Sequence, residues 1–311
     1  MHVCNRALSP LSMKMSNYAP CQYNKLTNGT MRAMYDNLPI SLSLSLSVSQ
    51  SLSLPISPFL KTTMPETPPT VQFFVTCLLD SLFPEVAQDV VTVLQRQGVR
   101  VEVPGGQTCC GQPAFNAGFW PEARRAAAYT IELLAATTGP VVIASGSCAA
   151  MIKHDYEELF RDDPVMREKA HALAQRVVEF SEYLVDVLGI TDVGAKLDKK
   201  IVYHPSCHGL RGLGLRTQPQ ALLRAVEGLE IASQDKPQTC CGFGGLFAIK
   251  MADISGAMMN ERLDAFLATD AELVVGGDVS CLMHLEGGLR KRGCDLRTSH
   301  LATVLANRID D

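Results

Sequence analysis

The stretches "TCCGQPAFNAG" (108–118) and "TCCGFGGLFAIK" (239–250) decide the fold, because they open with the same four residues 131 positions apart. In both stretches, two adjacent cysteines are followed at once by a glycine. Self-similarity at a fixed interval is the sequence signature of a repeated structural unit. The chain is therefore predicted to contain two copies of one unit, each built around a pair of neighbouring sulfur atoms.

Further cysteines follow the same interval. In the first copy, 31 residues separate one cysteine from the pair that follows it, and 36 residues separate the glycine from the next cysteine; the matching numbers in the second copy are 32 and 38. Beyond residue 63, only Cys294 lies outside this pattern. The two sets of four are Cys77, Cys109, Cys110 and Cys148, and Cys207, Cys240, Cys241 and Cys281.

Strand patterns precede the cysteines and helix patterns separate them. The apolar runs "VQFFVT" (71–76) and "KIVYH" (200–204) lead to the first cysteine of each set, and "PEVAQDVVTVLQRQG" (84–98) has helical periodicity. Alternating strands and helices are typical of a parallel sheet, which binds ligands at the carboxyl ends of its strands. We predict an α/β fold of two similar halves, each a small parallel sheet flanked by helices, with the cysteine sites at the strand C-terminal ends. Residues 165–188, between the halves, are predicted to be helical.

The first 63 residues differ from the rest. The serine-rich stretch "ISLSLSLSVSQSLSLPIS" (40–57) alternates like a strand, and its lack of charge also suits a membrane span or a targeting segment. So much serine is too polar for a membrane-crossing helix, and we predict no transmembrane segment. We interpret residues 1–63 as a low-complexity disordered leader, either spurious or targeting. The first repeat then covers 64–198 and the second covers 199–311.

The charge distribution argues against a nucleic-acid partner. The formal net charge is −4, and the leader has five basic residues against one acidic residue, so the remainder is more acidic than the whole chain. Binding to phosphate backbones relies on clustered lysine and arginine. We therefore expect no nucleic-acid surface.

Four thiols that converge in each half have few uses. Structural zinc sites usually draw on short C-x2-C elements, which are missing from this sequence. A disulfide within each adjacent pair would leave the other two cysteines of the set without a role. Iron–sulfur clusters are held by cysteine thiolates, usually four, and fit the pattern best. A zinc- or thiol-based binding or scaffold protein without electron transfer stays open as the alternative.

Residues 71–311 resemble the cysteine-rich CCG domain family. Three stretches, "HPSCHGLR" (204–211), "CCGFGG" (240–245) and "DVSCLMHLEGG" (278–288), are similar to its lactate-utilisation subgroup. The family includes a component of heterodisulfide reductase and the iron–sulfur subunits of glycolate and anaerobic glycerol-3-phosphate oxidases. The resemblance implies a cytoplasmic iron–sulfur oxidoreductase subunit in L-lactate oxidation to pyruvate. It also implies one 4Fe-4S-type cluster per repeat, with each set of four cysteines as its ligands.

The resemblance also implies partners. They are a ferredoxin-type iron–sulfur subunit and other lactate-utilisation proteins, with a small 2-hydroxy acid as a candidate substrate. This sequence has no C-x2-C-x2-C-x3-C-P run of the ferredoxin type. If electrons continue through such clusters, another polypeptide has to provide them.

The chain departs from the family pattern at one position in each half. The family pattern ends in C-x-x-C, whereas "SGSC" (145–148) and "DVSC" (278–281) place Ser145 and Asp278 where the first of these cysteines would stand. The type of cluster, cubane or non-cubane, is therefore left open. A carboxylate can bind iron more readily than a neutral hydroxyl, so we expect the two sites to differ, with the more labile iron near Asp278.

A few polar residues near the cysteines are weaker candidates. His208, Arg211 and Asp278 are the candidate catalytic residues, with Arg211 suited to a substrate carboxylate. His204 and His208 flank Cys207 and could tune a cluster or transfer a proton, although a hydrogen-bonded loop histidine is an equal alternative.

Overall fold

The computed structural model describes residues 68–309. The predicted leader, residues 1–63, lies outside the described residues. The first half contains a four-stranded sheet in the order β2-β1-β3-β4, and every pair of neighbouring strands is parallel. Its strands are β1 (Thr70–Phe73), β2 (Arg100–Glu102), β3 (Val141–Ile143) and β4 (Val177–Glu179).

Helical segments alternate with the strands of the first sheet. They are α1 (Cys77–Leu82), α2 (Pro84–Arg96), α3 (Gln112–Asn116), α4 (Trp120–Ala135), α5 (Gly146–Ala150), α6 (Tyr156–Leu159), α7 (Pro164–Ala174) and α8 (Phe180–Glu182). A π-helical turn joins α5 to α6 over Met151–Asp155, and another extends α8 over Tyr183–Val187.

The second half repeats this arrangement. Its sheet has the order β6-β5-β7-β8, again all parallel, so the strands occupy the same positions as in the first sheet. The strands are β5 (Lys200–His204), β6 (Glu230–Ile231), β7 (Leu273–Gly276) and β8 (Arg297–His300). The helices are α9 (Gln218–Arg224), α10 (Phe247–Lys250), α11 (Ala252–Leu267), α12 (Val279–Lys291) and α13 (Leu301–Leu305), with a π-helical turn over His208–Gly212. The prediction of an α/β fold with two similar parallel halves is confirmed.

Helix α2 shows why the sequence folds locally as it does. Pro84 occupies the first turn, where its missing N–H is not needed. Val86, Val90 and Leu94 recur at helical spacing and are buried. Gly98, with φ of +75°, takes the left-handed conformation just beyond the helix end.

One part of the prediction was wrong. Residues 165–188 are not helical throughout, because Val177–Glu179 form the edge strand β4, with Val141 paired to Val177. A three-residue strand is too short to show a period of two in the sequence, and helices flank it on both sides. Pairing with β3 therefore decides its conformation, which local pattern cannot reveal.

The two halves contact each other at several places. The π-helical turn of the second half packs against α5 so closely that a Cβ on Gly146 would lie 2.9 Å from the backbone nitrogen of Gly209. Helix α13, at the end of the second half, packs on α2 of the first half, and an ion pair of 3.1 Å links Arg308 to the buried Asp89. None of the helices between residues 68 and 309 combines the length and apolar character that a membrane crossing needs.

Candidate metal centres

The first set of cysteines comes together at the carboxyl ends of β1, β2 and β3. Cys77 begins α1, the adjacent pair lies between β2 and α3, and Cys148 lies in α5. Cys110 Sγ is 3.4 Å from Cys148 Sγ, and the backbone N–H of Gly111 donates to Cys109 Sγ over 3.4 Å. All four are free thiols.

The second set has the same arrangement. Cys207 follows β5, the adjacent pair follows β6, and Cys281 lies in the first turn of α12. Cys241 Sγ is 2.9 Å from Cys281 Sγ, and Cys240 Sγ is 3.7 Å from Cys207 Sγ. The N–H of Gly242 donates to Cys240 Sγ over 3.4 Å, as its counterpart does in the first set. The structure thus brings the four cysteines of each set together, in the grouping that the sequence predicts.

A glycine is required after each cysteine pair. Gly111 and Gly242 have φ of +88° and +86°, a conformation that L-residues with a side chain rarely adopt. A Cβ on Gly242 would lie 2.6 Å from the carbonyl oxygen of Ser255, and a Cβ on Gly111 would lie 3.2 Å from that of Ala123. Because both turns pass directly over a helix, the N–H groups of the glycines are held against sulfur.

One sulfur of each set is held in a setting that favours the thiolate. Hydrogen bonds from Cys110 and then Cys77 lower the pKa of Cys109, and hydrogen bonds from Cys207 and then Cys241 lower the pKa of Cys240. In Cys77 and Cys207 the pKa is raised, because each thiol donates to that acidic sulfur and is also buried. Thiolate, not thiol, is the form that binds metals. Four free thiols with an amide N–H on one sulfur form a donor set that fits an iron–sulfur cluster or a zinc ion.

The surroundings of the two sites differ. At the first site the buried Tyr156 hydroxyl donates to the carbonyl of Cys110 over 2.9 Å. At the second site His204 is 1% exposed. One of its ring nitrogens, Cys241 Sγ and Cys281 Sγ all lie within 4.8 Å of one another. Burial lowers the pKa of His204 to about 4, so the ring is neutral near pH 7.

Asp278, predicted to lie near labile iron, is engaged by backbone and hydroxyl groups. Its Oδ1 accepts from Ser280 N at 3.2 Å and Ser280 Oγ at 2.6 Å, which caps α12. Its Oδ2 accepts from Ser147 N at 2.9 Å and Ser145 Oγ at 3.3 Å, both in the first half. Ser145 in turn caps α5 by accepting from Cys148 N at 3.4 Å. The two residues that stand in for cysteine therefore contact each other.

The remaining candidates lie in different settings. His208 Nδ1 is 3.6 Å from Cys207 Sγ, and its Nε2 is 3.3 Å from Gln112 Nε2 of the first half, so this histidine bridges the halves. Arg211 is exposed and donates to the carbonyl of Gln238 over 2.8 Å. It borders an open hollow of about 340 Å³ that is also lined by Lys236 and by Thr239, the residue before the second cysteine pair.

A buried arginine that was not predicted from the sequence lies beside the second site. Arg262 is fully buried, its guanidinium lies 4.5 Å from the centroid of the Phe266 ring, and it donates to the carbonyl of Lys236 over 2.8 Å. Helical periodicity could have found it, because Arg262 lies four residues before Phe266 and seven after the buried Ser255 on α11. Burial lowers the pKa of the Arg262 guanidinium, and the charge of Cys241 acts in the opposite direction.

Comparison with known proteins agrees with the repeated architecture. The sequence model of the CCG cysteine-rich domain matches residues 71–153 and again residues 201–286. A solved structure of a hypothetical protein from Helicobacter pylori shares the fold with a TM-score of 0.59 at 11% identity, covering 79% of this chain. The chain spans about half of that protein, 51% of its length.

Curated relatives are similar over almost their whole length. Lactate utilization protein A from Macrococcus caseolyticus is 45% identical over 241 residues, 77% of this chain and 97% of that protein. The protein of the same name from Exiguobacterium is 44% identical over 238 residues, and lactate utilization protein A 2 from Bacillus cereus is 44% identical over 240 residues. Two copies of the domain and this level of identity show that the chain belongs to the CCG cysteine-rich domain family, as a member similar to lactate utilization protein A.

Proposed function

We propose that the chain is an iron–sulfur oxidoreductase subunit in the oxidation of L-lactate to pyruvate, with one cluster in each half. The observation that carries the proposal is the convergence of four free thiols at equivalent strand ends in both halves. The names of its relatives, lactate utilization protein A, support lactate as the substrate of the pathway.

The two cysteine sets are the proposed ligands of 4Fe-4S-type clusters. Cys77, Cys109, Cys110 and Cys148 would hold one, and Cys207, Cys240, Cys241 and Cys281 the other. An iron–sulfur cluster accepts and releases single electrons. The N–H groups of Gly111 and Gly242 would donate to the sulfur atoms there, and such hydrogen bonds influence the reduction potential.

Electron balance requires a partner. Oxidation of L-lactate to pyruvate releases two electrons and two protons, and this chain's two centres can only hold the electrons until they are passed on. We propose that a ferredoxin-type iron–sulfur subunit receives them, together with other lactate-utilisation proteins in the cytoplasm. Purification of the chain from lactate-grown cells without oxygen should bring such a subunit with it, and the mixture should reduce a dye when L-lactate is added.

A zinc-binding scaffold is the second candidate. The grouping of His204, Cys241 and Cys281 favours it, because imidazole and thiolate are the donors of structural zinc sites. In that case the chain would transfer no electrons and would organise other proteins.

Metal analysis separates the two candidates. Protein purified without oxygen should contain iron and acid-labile sulfide in amounts that match two clusters per chain, with little zinc. Stoichiometric zinc with iron near zero would exclude electron transfer and leave the scaffold.

A further inference from the structure

The second site contains a buried histidine that the polypeptide leaves without a partner. His204 ends β5 and is 1% exposed, and neither Nδ1 nor Nε2 has a hydrogen-bond partner among the described residues. Burying a polar group without hydrogen bonds costs about 1–3 kcal/mol. Because folded proteins contain few such groups, an unpaired imidazole at this depth indicates a partner that is not part of the chain.

The position of the ring identifies that partner. A ring nitrogen of His204, Cys241 Sγ and Cys281 Sγ all lie within 4.8 Å of one another. Imidazole and thiolate both bind iron, and histidine replaces cysteine on one iron in some iron–sulfur clusters. An iron atom that binds these two sulfur atoms therefore lies within reach of the imidazole.

Among the described residues, no histidine is grouped in this way with the cysteines of the first site. Counted back from the first cysteine of each set, the residue in the place of His204 is Phe74. Phe74 is fully buried in an apolar cluster that includes Cys110, with Cys148 packed against it. The equivalent position is thus apolar in one half and a nitrogen donor in the other.

The other candidate ligands around the second site each have at least one hydrogen-bond partner, although His300 Nε2 is also buried without one. Both carboxylate oxygens of Asp278 accept hydrogen bonds from the serines around it. His300 caps α13 by accepting from Ala302 N at 3.1 Å, and His284 Nε2 is 3.4 Å from Ser255 Oγ. His204 has no comparable structural role.

We propose that His204 supplies a nitrogen donor to iron in the second centre, beside its four cysteines, and that the first centre has cysteine donors only. The inference rests on the proposed function, because it requires an iron–sulfur cluster in the second half. It makes the two centres chemically different, although the fold that surrounds them is repeated.

Labelled histidine tests the proposal in the unaltered chain. Protein from cells grown with ⁵⁷Fe and ¹⁵N-histidine should show a ¹⁵N hyperfine coupling to the cluster spin. Protein from cells grown with unlabelled histidine should show the ¹⁴N pattern instead. In His204→Phe, which copies the first half, the coupling should be lost. The ⁵⁷Fe Mössbauer spectrum, which needs no net spin, should change at one iron position.

Two further variants make the result specific. His284→Phe removes another histidine beside the second site and should keep the nitrogen coupling and the Mössbauer spectrum of the wild type. His204→Gln keeps a polar group and should lose the coupling as His204→Phe does, which guards against a folding defect of the phenylalanine variant.

The outcomes distinguish failure of the proposal from failure of the proposed function. Iron for two clusters without any histidine coupling, and with identical Mössbauer spectra in wild type and His204→Phe, would overturn the assignment of His204 alone. Wild-type protein without iron would overturn the proposed function, and the assignment with it.

Discussion

Ser145 Oγ donates a hydrogen bond to Asp278 Oδ2 over 3.3 Å, and the two residues occupy equivalent positions in the two halves. The carboxylate is 2% exposed and accepts from the N-terminal turns of α5 and α12. Helix N-termini favour a negative charge, and one buried carboxylate serves both helices here. The position at which each half departs from the family's cysteine pattern thus joins the halves to each other.

Replacing this carboxylate should destabilise the protein. Asp278→Ala removes four hydrogen bonds and leaves the buried Ser147 N without its acceptor, so the free energy of unfolding should fall by about 2–4 kcal/mol. Asp278→Asn keeps an oxygen acceptor and should lose less. Urea unfolding of protein handled without oxygen measures the unfolding free energy of both variants. Equal stability of wild type and Asp278→Ala would show that the contact contributes nothing to stability.

The two cysteine sets should lose iron independently. Because each set is complete within its own half, Cys110→Ser should remove about half of the iron and leave the spectrum of the second centre unchanged. Cys241→Ser should do the converse. Cys294→Ser, outside both sets, should keep all the iron. Complete loss of iron from either of the first two variants would mean that the halves assemble one shared site.

The two glycines should differ in their tolerance of a methyl group. Gly242→Ala would place Cβ 2.6 Å from a backbone oxygen, whereas Gly111→Ala would place it 3.2 Å from one, and both force a residue with a side chain into the left-handed region. That conformation alone costs roughly 1–2 kcal/mol. Gly242→Ala should therefore lower the melting temperature more than Gly111→Ala, and it should also lose iron from the second centre. Equal melting temperatures would contradict the difference in contacts.

Stability should decrease with rising pH because of Glu179. This carboxyl is 3% exposed, and burial raises its pKa from 4.5 to about 7. Its neutral form stabilises the fold, so that stability is present at low pH and is lost as the pH rises through the folded-state pKa. From roughly pH 5 to pH 8 the loss amounts to about 2 kcal/mol.

A single substitution isolates this effect from other titrating groups. Glu179→Gln retains an oxygen that can accept from the Ser181 and Glu182 N–H groups but cannot ionise. The difference in unfolding free energy between wild type and this variant should therefore shift in favour of the variant as the pH rises. A difference that is constant over the same range would mean that Glu179 stays ionised throughout.

The strands that carry the cysteines were predictable because their patterns are local. The runs before Cys77 and Cys207 are apolar and buried in the centre of each sheet, so the sequence shows them clearly. Strands β4 and β8 were not predicted. They lie at sheet edges, and β8 reads "RTSH", in which only His300 is buried.

The grouping of the thiols was predictable from spacing, whereas the contacts around them were not. Because the intervals match, each set of four cysteines lies at one sheet edge irrespective of the detailed conformation of the loops. The bond between Ser145 and Asp278 depends on how the halves dock, and so does the bridge from His208 to Gln112. The isolation of His204 depends on the side chains that surround it, which no single-sequence pattern describes.

The packing of α13 on α2 has a consequence for synthesis on the ribosome. Leu301, Val304 and Leu305 are buried, and they belong to the last of the described helices in chain order, although α2 lies in the first half. Domains usually fold in the order in which they are synthesised. Here the first half can complete its packing against α13 only after residues 301–305 have left the ribosome. A stop codon shortly before Leu301 would thus destabilise the first half of the protein, although that half is translated long before the stop codon is reached.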